Sequence, residues 1–572
     1  MTLDIRQPRP IFRNRSNAPQ EWSAHVLSMN VTKTQSIEPG TFEVRLLPYP
    51  IHEDSPTQLI GTYGMTAAAY SAFRAQDVVH LGMRWFNPAT GKLENNIFMW
   101  GLVDNVYYDY HQQGNSVSRV VVVRGRDATK LLITDTIVFA AMLANNSKVK
   151  QALGKTAEFI SYMRGATANS KENVFFNMLL IKTFAWLVNN IPAISVTLEE
   201  EGQSVQRQVK DILGYEFTTY KDDRLYMPGA SMYSGSMINY FRSILDEQFY
   251  EMWIDTVPTN LSGDGDAYPK LIIRPRPFDF DWEVDSDGTS FDNSALWVEK
   301  SASLTDSNGL PIPSSTTAPT VGKATSPVTG SSLTIPNEDI LHSGLGVGDY
   351  ETFTFYTLTA DNAAIGSSVL SQIGGYLALI DIPASKIYGI RALSGETKCV
   401  YIDNIQPYRQ YALSLMNADP TTWPAKAMGV TLAQESGIGT GTRNLLKRRD
   451  RLWRWNRYNH LFESGTMKIK GQPVSVGGNV FLPEKFSRGV FDDSQNRKPQ
   501  LGMTYYVTGW GQMYQWGADW ETTLELIRGH NEKDLKAYAN SRKFDKAASV
   551  DTNGIATMTV QEILGQLSGG GQ

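Results

Sequence analysis

Residues 97–106 read IFMWGLVDNV and residues 117–124 read VSRVVVVR, and these two stretches decide the fold class. The four consecutive valines at 120–123 form a continuous β-branched run, which is typical of a strand buried on both faces. Between the two stretches the pair Gly114-Asn115 is a turn signal. The sequence therefore predicts two neighbouring strands joined by a tight turn.

The strand pattern continues on the N-terminal side of these stretches. Phe42, Val44 and Leu46 alternate with polar residues, and residues 78–86 form another apolar run. We therefore predict a β domain over residues 25–130, preceded by an N-terminal arm at 1–24.

The apolar period changes after Gly125. Apolar residues recur at helical spacing in four segments, at 128–143, 147–165, 171–190 and 235–251. A helical or mixed middle domain is therefore predicted for residues 131–300, with strands at 252–254 and 271–274.

The remaining segments follow from composition. Residues 301–335 are rich in Ser, Thr, Pro and Gly and predict a surface loop or insertion. Strand-rich stretches at 336–440 and 464–530 predict a second β domain in two parts, separated by a basic amphipathic helix at 441–463. Residues 531–572 are expected to form a flexible tail. The predicted fold class is mainly β with α insertions (α+β).

Length and charge exclude several classes of protein. At 572 residues the chain is expected to hold roughly four domains. Its 53 basic and 58 acidic residues give a net charge of -5, so no global field draws it to DNA or anionic lipid. The single cysteine, Cys399, excludes an internal disulfide framework and a Cys-rich zinc site. The sequence shows no export signal and no apolar run of the ~20 residues that a membrane span needs.

No motif in the sequence predicts catalysis. The seven histidines contain no pair at i, i+2 or i, i+4. The glycines at 344, 346 and 348 lack a strand-turn-helix context and are interpreted as an ordinary loop. Residues 283–288, EVDSDG, resemble the start of a calcium loop, but Ser294 stands where the bidentate Glu belongs. An acidic turn is favoured there and a divalent site stays open. No catalytic, cofactor or metal residue is predicted.

The basic helix allows two interpretations. Its cations interleave with Trp453, Trp455 and Tyr458, a mixture that suits single-stranded nucleic acid; they are Arg443, Lys447, Arg448, Arg449, Arg451, Arg454 and Arg457. The favoured interpretation is a helix that buries an apolar stripe and turns its arginines to solvent or to a protein interface. The stripe is Leu445, Leu446, Leu452 and Tyr458. A channel that passes DNA could use the same charges.

Several segments, in this order along the chain, resemble the central hub protein of a tailed-phage baseplate. This family is shared with contractile injection systems and, more distantly, with the type VI secretion spike. The second segment resembles the family's Phe-x-Gly-x-Val strand, and the third resembles its Gly-x-Asp turn into a helix. The segments are 77–81 DVVHL, 97–106 IFMWGLVDNV, 121–132 VVVRGRDATKLL, 251–255 EMWID, 269–278 PKLIIRPRPF, 335–340 IPNEDI, 388–391 YGIR, 464–473 SGTMKIKGQP, 476–477 VG, 505–510 YYVTGW and 522–529 TTLELIRG.

The resemblance implies two tail-tube-like β-barrel domains per chain and a structural role without an enzymatic activity. Three chains would present six similar barrels, so that a homotrimer adapts a sixfold tail tube to a threefold spike. The implied partners are a second and third copy of the chain, a tail tube or tube-initiator protein, a central spike and other baseplate proteins. DNA would pass transiently through the lumen, and no stable membrane association is implied. The implied location is the virion baseplate, after synthesis in the bacterial cytoplasm.

Two alternatives stay open beside the hub. A tail-associated cell-wall hydrolase, an endopeptidase or muramidase, could share the hub scaffold, and a carbohydrate-binding host receptor protein could use the many Tyr and Trp residues. The chain ends about forty residues after Arg528-Gly529, so a spike and any hydrolase are expected to be separate polypeptides. Gly125 and Gly471 are expected at turns that need freedom in φ.

Overall fold

The structure is a computed structural model, and the described residues cover most of the predicted strands. They are 8–16, 20–35, 38–47, 69–87, 91–113, 116–134, 136–137, 174–175, 180, 184, 187–188, 191–200, 203–220, 224–225, 235–258, 266–276, 296–300, 333–349, 351–360, 379–397, 439–485, 500–531 and 533–536.

The N-terminal quarter of the described chain is strand followed by one short helix. Its elements are β1 (Arg9–Asn14), β2 (Gln20–Glu21), a 3₁₀ turn (Ser23–His25), β3 (Val26–Thr34), β4 (Thr41–Leu46), β5 (Val78–Asn87), β6 (Lys92–Gln113), β7 (Ser116–Asp127) and helix α1 (Thr129–Thr134). The strands predicted at 78–86, 97–106 and 117–124 are therefore confirmed, and the four valines at 120–123 are buried.

The middle of the described chain mixes short strands with two helices. Its elements are β8 (Thr136–Ile137), β9 (Val174–Phe175), β10 (Ser195–Glu200), β11 (Gln203–Gln208), α2 (Val209–Ile212), β12 (Gly214–Tyr220), β13 (Arg224–Leu225), β14 (Gly235–Ser236), α3 (Met237–Ile244), β15 (Tyr250–Pro258), β16 (Ala267–Pro275) and β17 (Leu296–Lys300).

The C-terminal part returns to strands around one long helix. Its elements are β18 (Leu333–Thr334), a 3₁₀ turn (Asn337–Asp339), β19 (Ile340–Val347), β20 (Phe355–Ala360), β21 (Leu379–Ile380), α4 (Ile382–Tyr388), β22 (Ala392–Thr397), α5 (Gly439–Asn456), β23 (Glu463–Lys470), β24 (Asn479–Lys485), β25 (Gln500–Gln515) and β26 (Glu521–His530).

One 13-stranded sheet joins the two ends of the chain. Its order is β19-β23-β26-β25-β3-β4-β7-β6-β5-β1-β2, and β24 pairs with both β25 and β18. The join is the antiparallel pairing of β25 with β3, in register from Gly509 opposite Thr34 to Gln515 opposite Ser28. Strands that the sequence assigns to two separate barrels thus share one continuous sheet, and no closed barrel is found among the described residues.

The large sheet buries one face in a hydrophobic core. A row of directly opposed residues shows this burial across six strands, because opposed residues share a face. The row is Ile469, Thr522, Gln512, Val31, Phe42 and Gly125, and every member is buried. Gln512 is tolerated there because its amide oxygen accepts hydrogen bonds from Trp520 Nε1 at 2.7 Å and Thr522 Oγ1 at 2.8 Å.

The described part of the middle region contains more sheet than the sequence predicts. β15, β16, β12 and β17 form a four-stranded sheet in that order, with β12 parallel to β16. Of the helix predicted at 128–143, the described portion ends at Thr134, and Thr136–Ile137 pairs with β14 instead. The helix predicted at 171–190 is wrong at Val174–Phe175, a strand paired with β13. Pairing with distant strands overrides the local helical period at both places.

Three further interpretations of the sequence can be compared with the structure. The glycine cluster interpreted as a loop is wrong, because Gly344 and Gly346 lie inside β19. At the end of the predicted 301–335 loop, Leu333–Thr334 pairs with β24 and Ile335 is buried. Residues 283–288 lie outside the described residues. The predicted class, mainly β with helical insertions, is confirmed.

Gly125 and Gly471 are constrained by close packing rather than by φ. Neither has a positive φ. A Cβ on Gly125 would lie 2.2 Å from the carbonyl oxygen of Leu102 and 2.5 Å from Phe42 Cζ, and one on Gly471 would lie 2.1 Å from Trp520 Cδ2. The expectation that these positions need glycine therefore rests on a different physical reason.

We predict that Gly125→Val and Gly471→Val each destabilise the fold. Overpacking a core costs about 1–3 kcal/mol where side chains can shift, and Gly125 faces a sheet carbonyl, which cannot. The matched control is Gly344→Val, because a Cβ there meets its nearest atom at 3.6 Å, an ordinary contact. Thermal unfolding should show a lower midpoint for the first two variants and a wild-type midpoint for the third. Equal midpoints for all three would reject this packing.

Candidate functional site

The basic helix α5 buries its arginines instead of exposing them. Described side chains begin at Arg448, and the buried cations are Arg448, Arg449, Arg451, Arg454 and Arg457. Leu452 and Tyr458 are buried with them, as the apolar stripe predicts. Arg443 and Lys447 have side chains outside the described set. The interpretation of these arginines as a solvated face is therefore wrong for the described part of the helix.

An ion pair with two additional contacts holds Arg448. Its Nη1 donates to Asp246 Oδ2 at 2.9 Å and to Thr397 Oγ1 at 2.8 Å, and Thr397 Oγ1 also donates to Asp246 Oδ2. The guanidinium lies 4.7 Å from the ring centroid of Phe249. Because Asp246 follows α3 and Thr397 ends β22, this one side chain joins three elements that are far apart in sequence.

Aromatic rings cover two further arginines at or near α5. Arg451 lies 3.4 Å from the centroid of Tyr220 on β12. Arg528 on β26 lies 3.9 Å from the Trp455 ring and 4.4 Å from the Phe462 ring. Cation–π contacts of this kind gain strength when they are desolvated. Arg457 lies 4.6 Å from the Trp453 centroid and 4.3 Å from the Tyr458 centroid. The three rings that could have stacked on bases are thus each in contact with an arginine of the chain.

A second buried polar cluster joins the four-stranded sheet to the large sheet. Tyr506 on β25 donates its hydroxyl to both carboxylate oxygens of Glu251 on β15, at 2.7 and 2.8 Å. Arg274 on β16 donates to Glu251 Oε1 at 2.6 Å and to the carbonyl oxygen of Gly477 at 2.6 Å. Burial, with the Glu251 charge beside it, raises the pKa of the Tyr506 phenol above its usual value. The phenol therefore stays a proton donor to Glu251.

The sequence carried only a weak signal for this cluster. Glu251 and Arg274 are single charges at the start or end of apolar runs, EMWI and LIIR. A charge in such a run needs a partner when it is buried, but the partner Tyr506 lies more than 230 residues away. Sequence spacing cannot supply that pairing.

His80 is the centre of a third buried polar cluster. Its side chain is fully buried, and its Nδ1 lies 3.4 Å from Asp266 Oδ1. Arg15, which follows β1, donates Nη2 to the same oxygen. Burial lowers the pKa of His80 below 6.5, against the opposing pull of Asp266, and the charges of Arg15 and Arg13 lower it further. The imidazole is therefore held neutral at neutral pH.

The face of the large sheet opposite its core is exposed to solvent in rows that the register defines. We call it the polar face. Its outer rows of directly opposed residues run across the same strands as the buried row. They are Lys470, Glu521, Met513, Asn30, Glu43 and Arg124 in one row, and Lys468, Thr523, Gly511, Thr32, Thr41 and Arg126 in the next. All of these residues are exposed or half-buried.

The described residues of the polar face form no candidate metal site. Within the described ranges, no group of three or more His, Cys, Asp or Glu side chains is placed to hold a metal ion. None of the described helices is both long and apolar enough to span a membrane. The centre of the face carries small side chains and the exposed Met513, and ion pairs lie toward its sides.

Comparison with known proteins returns solved structures alone. No family model matches the chain, and no curated protein sequence does. A tail protein from Neisseria meningitidis MC58 aligns over 91% of this chain and 96% of its own, at 8% identity and a TM-score of 0.36. The 43 kDa tail protein of prophage MuSo2 from Shewanella oneidensis aligns over 91% and 98%, at 9% identity and a TM-score of 0.34.

A third similar structure is an Escherichia coli protein described as a component of the type VI secretion system that resembles tail proteins of bacteriophage T4. It aligns over 89% of this chain and 74% of its own, at 7% identity and a TM-score of 0.28. TM-scores at this level are too low to support a function for this chain.

We predict that Asp246→Ala destabilises the protein by about 3–5 kcal/mol, because it leaves Arg448 buried without its counter-ion. The double variant Asp246→Leu with Arg448→Met should lose much less, because both charges leave together. As a control, Asp349→Ala breaks an exposed pair with Arg391 and should cost less than about 1 kcal/mol. Urea unfolding measures all three. A double variant no more stable than Asp246→Ala would contradict the buried pair.

We predict that acid weakens the fold through His80. The folded-state pKa is depressed, so the unfolded chain takes up a proton that the folded chain refuses, and stability falls as the pH drops below about 6.5. Burial also lowers the pKa of His530, to about 4, so His80→Gln should reduce the slope in this range without abolishing it. His342→Gln, at an exposed strand position, should leave the slope unchanged. Urea midpoints between pH 7.5 and 5 test this. An unchanged slope in His80→Gln would show that another group titrates.

Proposed function

We propose that the chain is a structural baseplate hub of a bacteriophage tail. In this proposal three copies form a ring that adapts a sixfold tail tube to a threefold spike and leaves a channel for the genome. The resemblance of eleven ordered sequence segments to the hub family is the starting point. The assembly acts by binding its neighbours and carries out no catalysis.

The observation that carries the proposal is the edge-to-edge pairing of β25 with β3. It joins a strand module near the N-terminus to one near the C-terminus within a single sheet. Two similar modules side by side in one chain are what a threefold ring needs in order to offer six equivalent positions. The continuous polar face then supplies a solvated wall for the channel.

The free end of the large sheet is the expected contact between subunits. β19 is the last strand in the sheet order and pairs on one side with β23, and its other edge pairs with no other described strand. An open edge of this kind presents unpaired backbone groups to another chain. Leu341, at the bulge of β19, is 47% exposed. We infer that a neighbouring copy covers this edge in the ring.

We expect the native mass of the purified protein, alone or with its spike partner, to be about 191 kDa, three times the 63.7 kDa of one chain. Leu341→Lys should shift this species toward the monomer, because it places a charge where the neighbour packs. The matched control is Ile387→Lys, the same change at an exposed aliphatic residue on α4, which should remain a trimer. Native mass spectrometry distinguishes the species.

Each outcome of this experiment has a distinct meaning. A monomer in both conditions rejects the ring, and a monomer that degrades peptidoglycan favours the hydrolase. A trimer that survives Leu341→Lys keeps the ring and rejects β19 as its contact.

A further inference from the structure

We propose that Glu43 masks a latent phosphate-binding pair, Arg45 and Arg124, so that a polyanion moves past the polar face without being held. This inference rests on the proposed function, in which the polar face borders the path of the genome. It concerns the residues that determine how weakly that wall binds DNA.

The geometry places one carboxylate between two guanidinium groups. Glu43 Oε1 accepts from Arg45 Nε at 2.9 Å, and Glu43 Oε2 accepts from Arg124 Nε at 2.7 Å and lies 2.6 Å from its Nη2. The side chains of Arg45 and Arg124 are 44% and 49% exposed, whereas that of Glu43 is 27% exposed. The cations thus reach solvent, and the anion that neutralises them lies beneath.

The pairing is set by the sheet register and by an aromatic support. Glu43 is directly opposite Arg124 in the pairing of β4 with β7. The Arg124 guanidinium also lies 5.0 Å from the ring centroid of Tyr107 on β6. Although partial burial alone would raise the pKa of Glu43, the hydrogen bonds from both arginines hold it below its usual value. Glu43 is therefore ionised at neutral pH and neutralises the two arginines.

Other cations of the polar face are also paired with carboxylates. Arg126 pairs with Asp104 at 2.7 Å, and Lys468 pairs with Glu521 at 2.6 Å. Lys470 pairs with Asp339 at 3.0 Å. Cations gain DNA affinity by releasing counter-ions from phosphates, and a cation whose donors already bind a carboxylate gains less. Asp104 also pairs with Lys130 at 2.7 Å, but the Lys130 side chain is buried. In this set Glu43 is therefore the carboxylate that pairs with two exposed arginines.

The experiment compares Glu43→Gln with Glu525→Gln in the full-length protein. Glu525 is exposed on the same face, opposite Gly509 and Thr466, so the two variants change the net charge equally and only the first unmasks arginines. Binding of a short fluorescent DNA duplex is measured by anisotropy at several salt concentrations. Glu43→Gln should bind at least tenfold more tightly than Glu525→Gln and wild type. Its salt slope should steepen by about 0.9 for each arginine that newly contacts a phosphate.

Further variants keep the test decisive. The triple variant Glu43→Gln, Arg45→Gln, Arg124→Gln should lose the gain, and Glu43→Thr, a good strand residue, should reproduce it if the Gln variant folds poorly. A gain shared by Glu525→Gln, or no gain in either Glu43 variant, overturns the masking role.

Native mass measured on the same samples separates this inference from the proposed function. A trimer without a gain in affinity rejects the masking role and leaves the hub. A monomer with the gain rejects the ring and leaves the masking role.

Discussion

The pairing of β25 with β3 is the constraint on which the rest of the structure depends. It brings residues about 480 positions apart into direct opposition, as with Met513 and Asn30. Because side chains alternate between faces, a slip of one residue there would exchange the buried row and the polar face for half of the sheet. The buried row and the polar face run continuously across both halves of the sheet only in this one register.

Buried charges link separate elements of the fold, and one cluster joins the four-stranded sheet to the large sheet. The Glu251, Arg274 and Tyr506 cluster and the Arg448 and Asp246 pair each join elements from different parts of the chain. Such pairs add little net stability, because desolvation offsets their attraction, but a mismatched arrangement that leaves one charge alone is costly. Arginine suits this role because its planar group can donate several hydrogen bonds and still stack on a ring, as Arg448 does on Phe249.

The sequence predicts local structure well and long-range placement poorly. The valine run at 120–123 and the apolar stripe of α5 indicated their elements because the deciding contacts lie within one strand or one helix. Whether the arginines on α5 are exposed or buried could not be predicted in the same way. Their burial depends on Asp246 and on Tyr220, which a helical pattern does not include. For Gly125, the need for glycine was predictable, but its cause, the Leu102 carbonyl, lies on a paired strand.

The polar face shows why an overall charge is a poor guide to the partner of a sheet protein. A net charge of -5 excludes a global attraction to DNA, yet it leaves open a local basic site, and the exposed arginines at 45 and 124 supply the residues for one. Whether that site acts depends on which residue the register places between them. Glu43 is two residues from Arg45 along β4 and directly opposite Arg124 across the ladder. The register also keeps the three charges on one face, because a slip of one residue between β4 and β7 would turn Arg124 to the other face of the sheet.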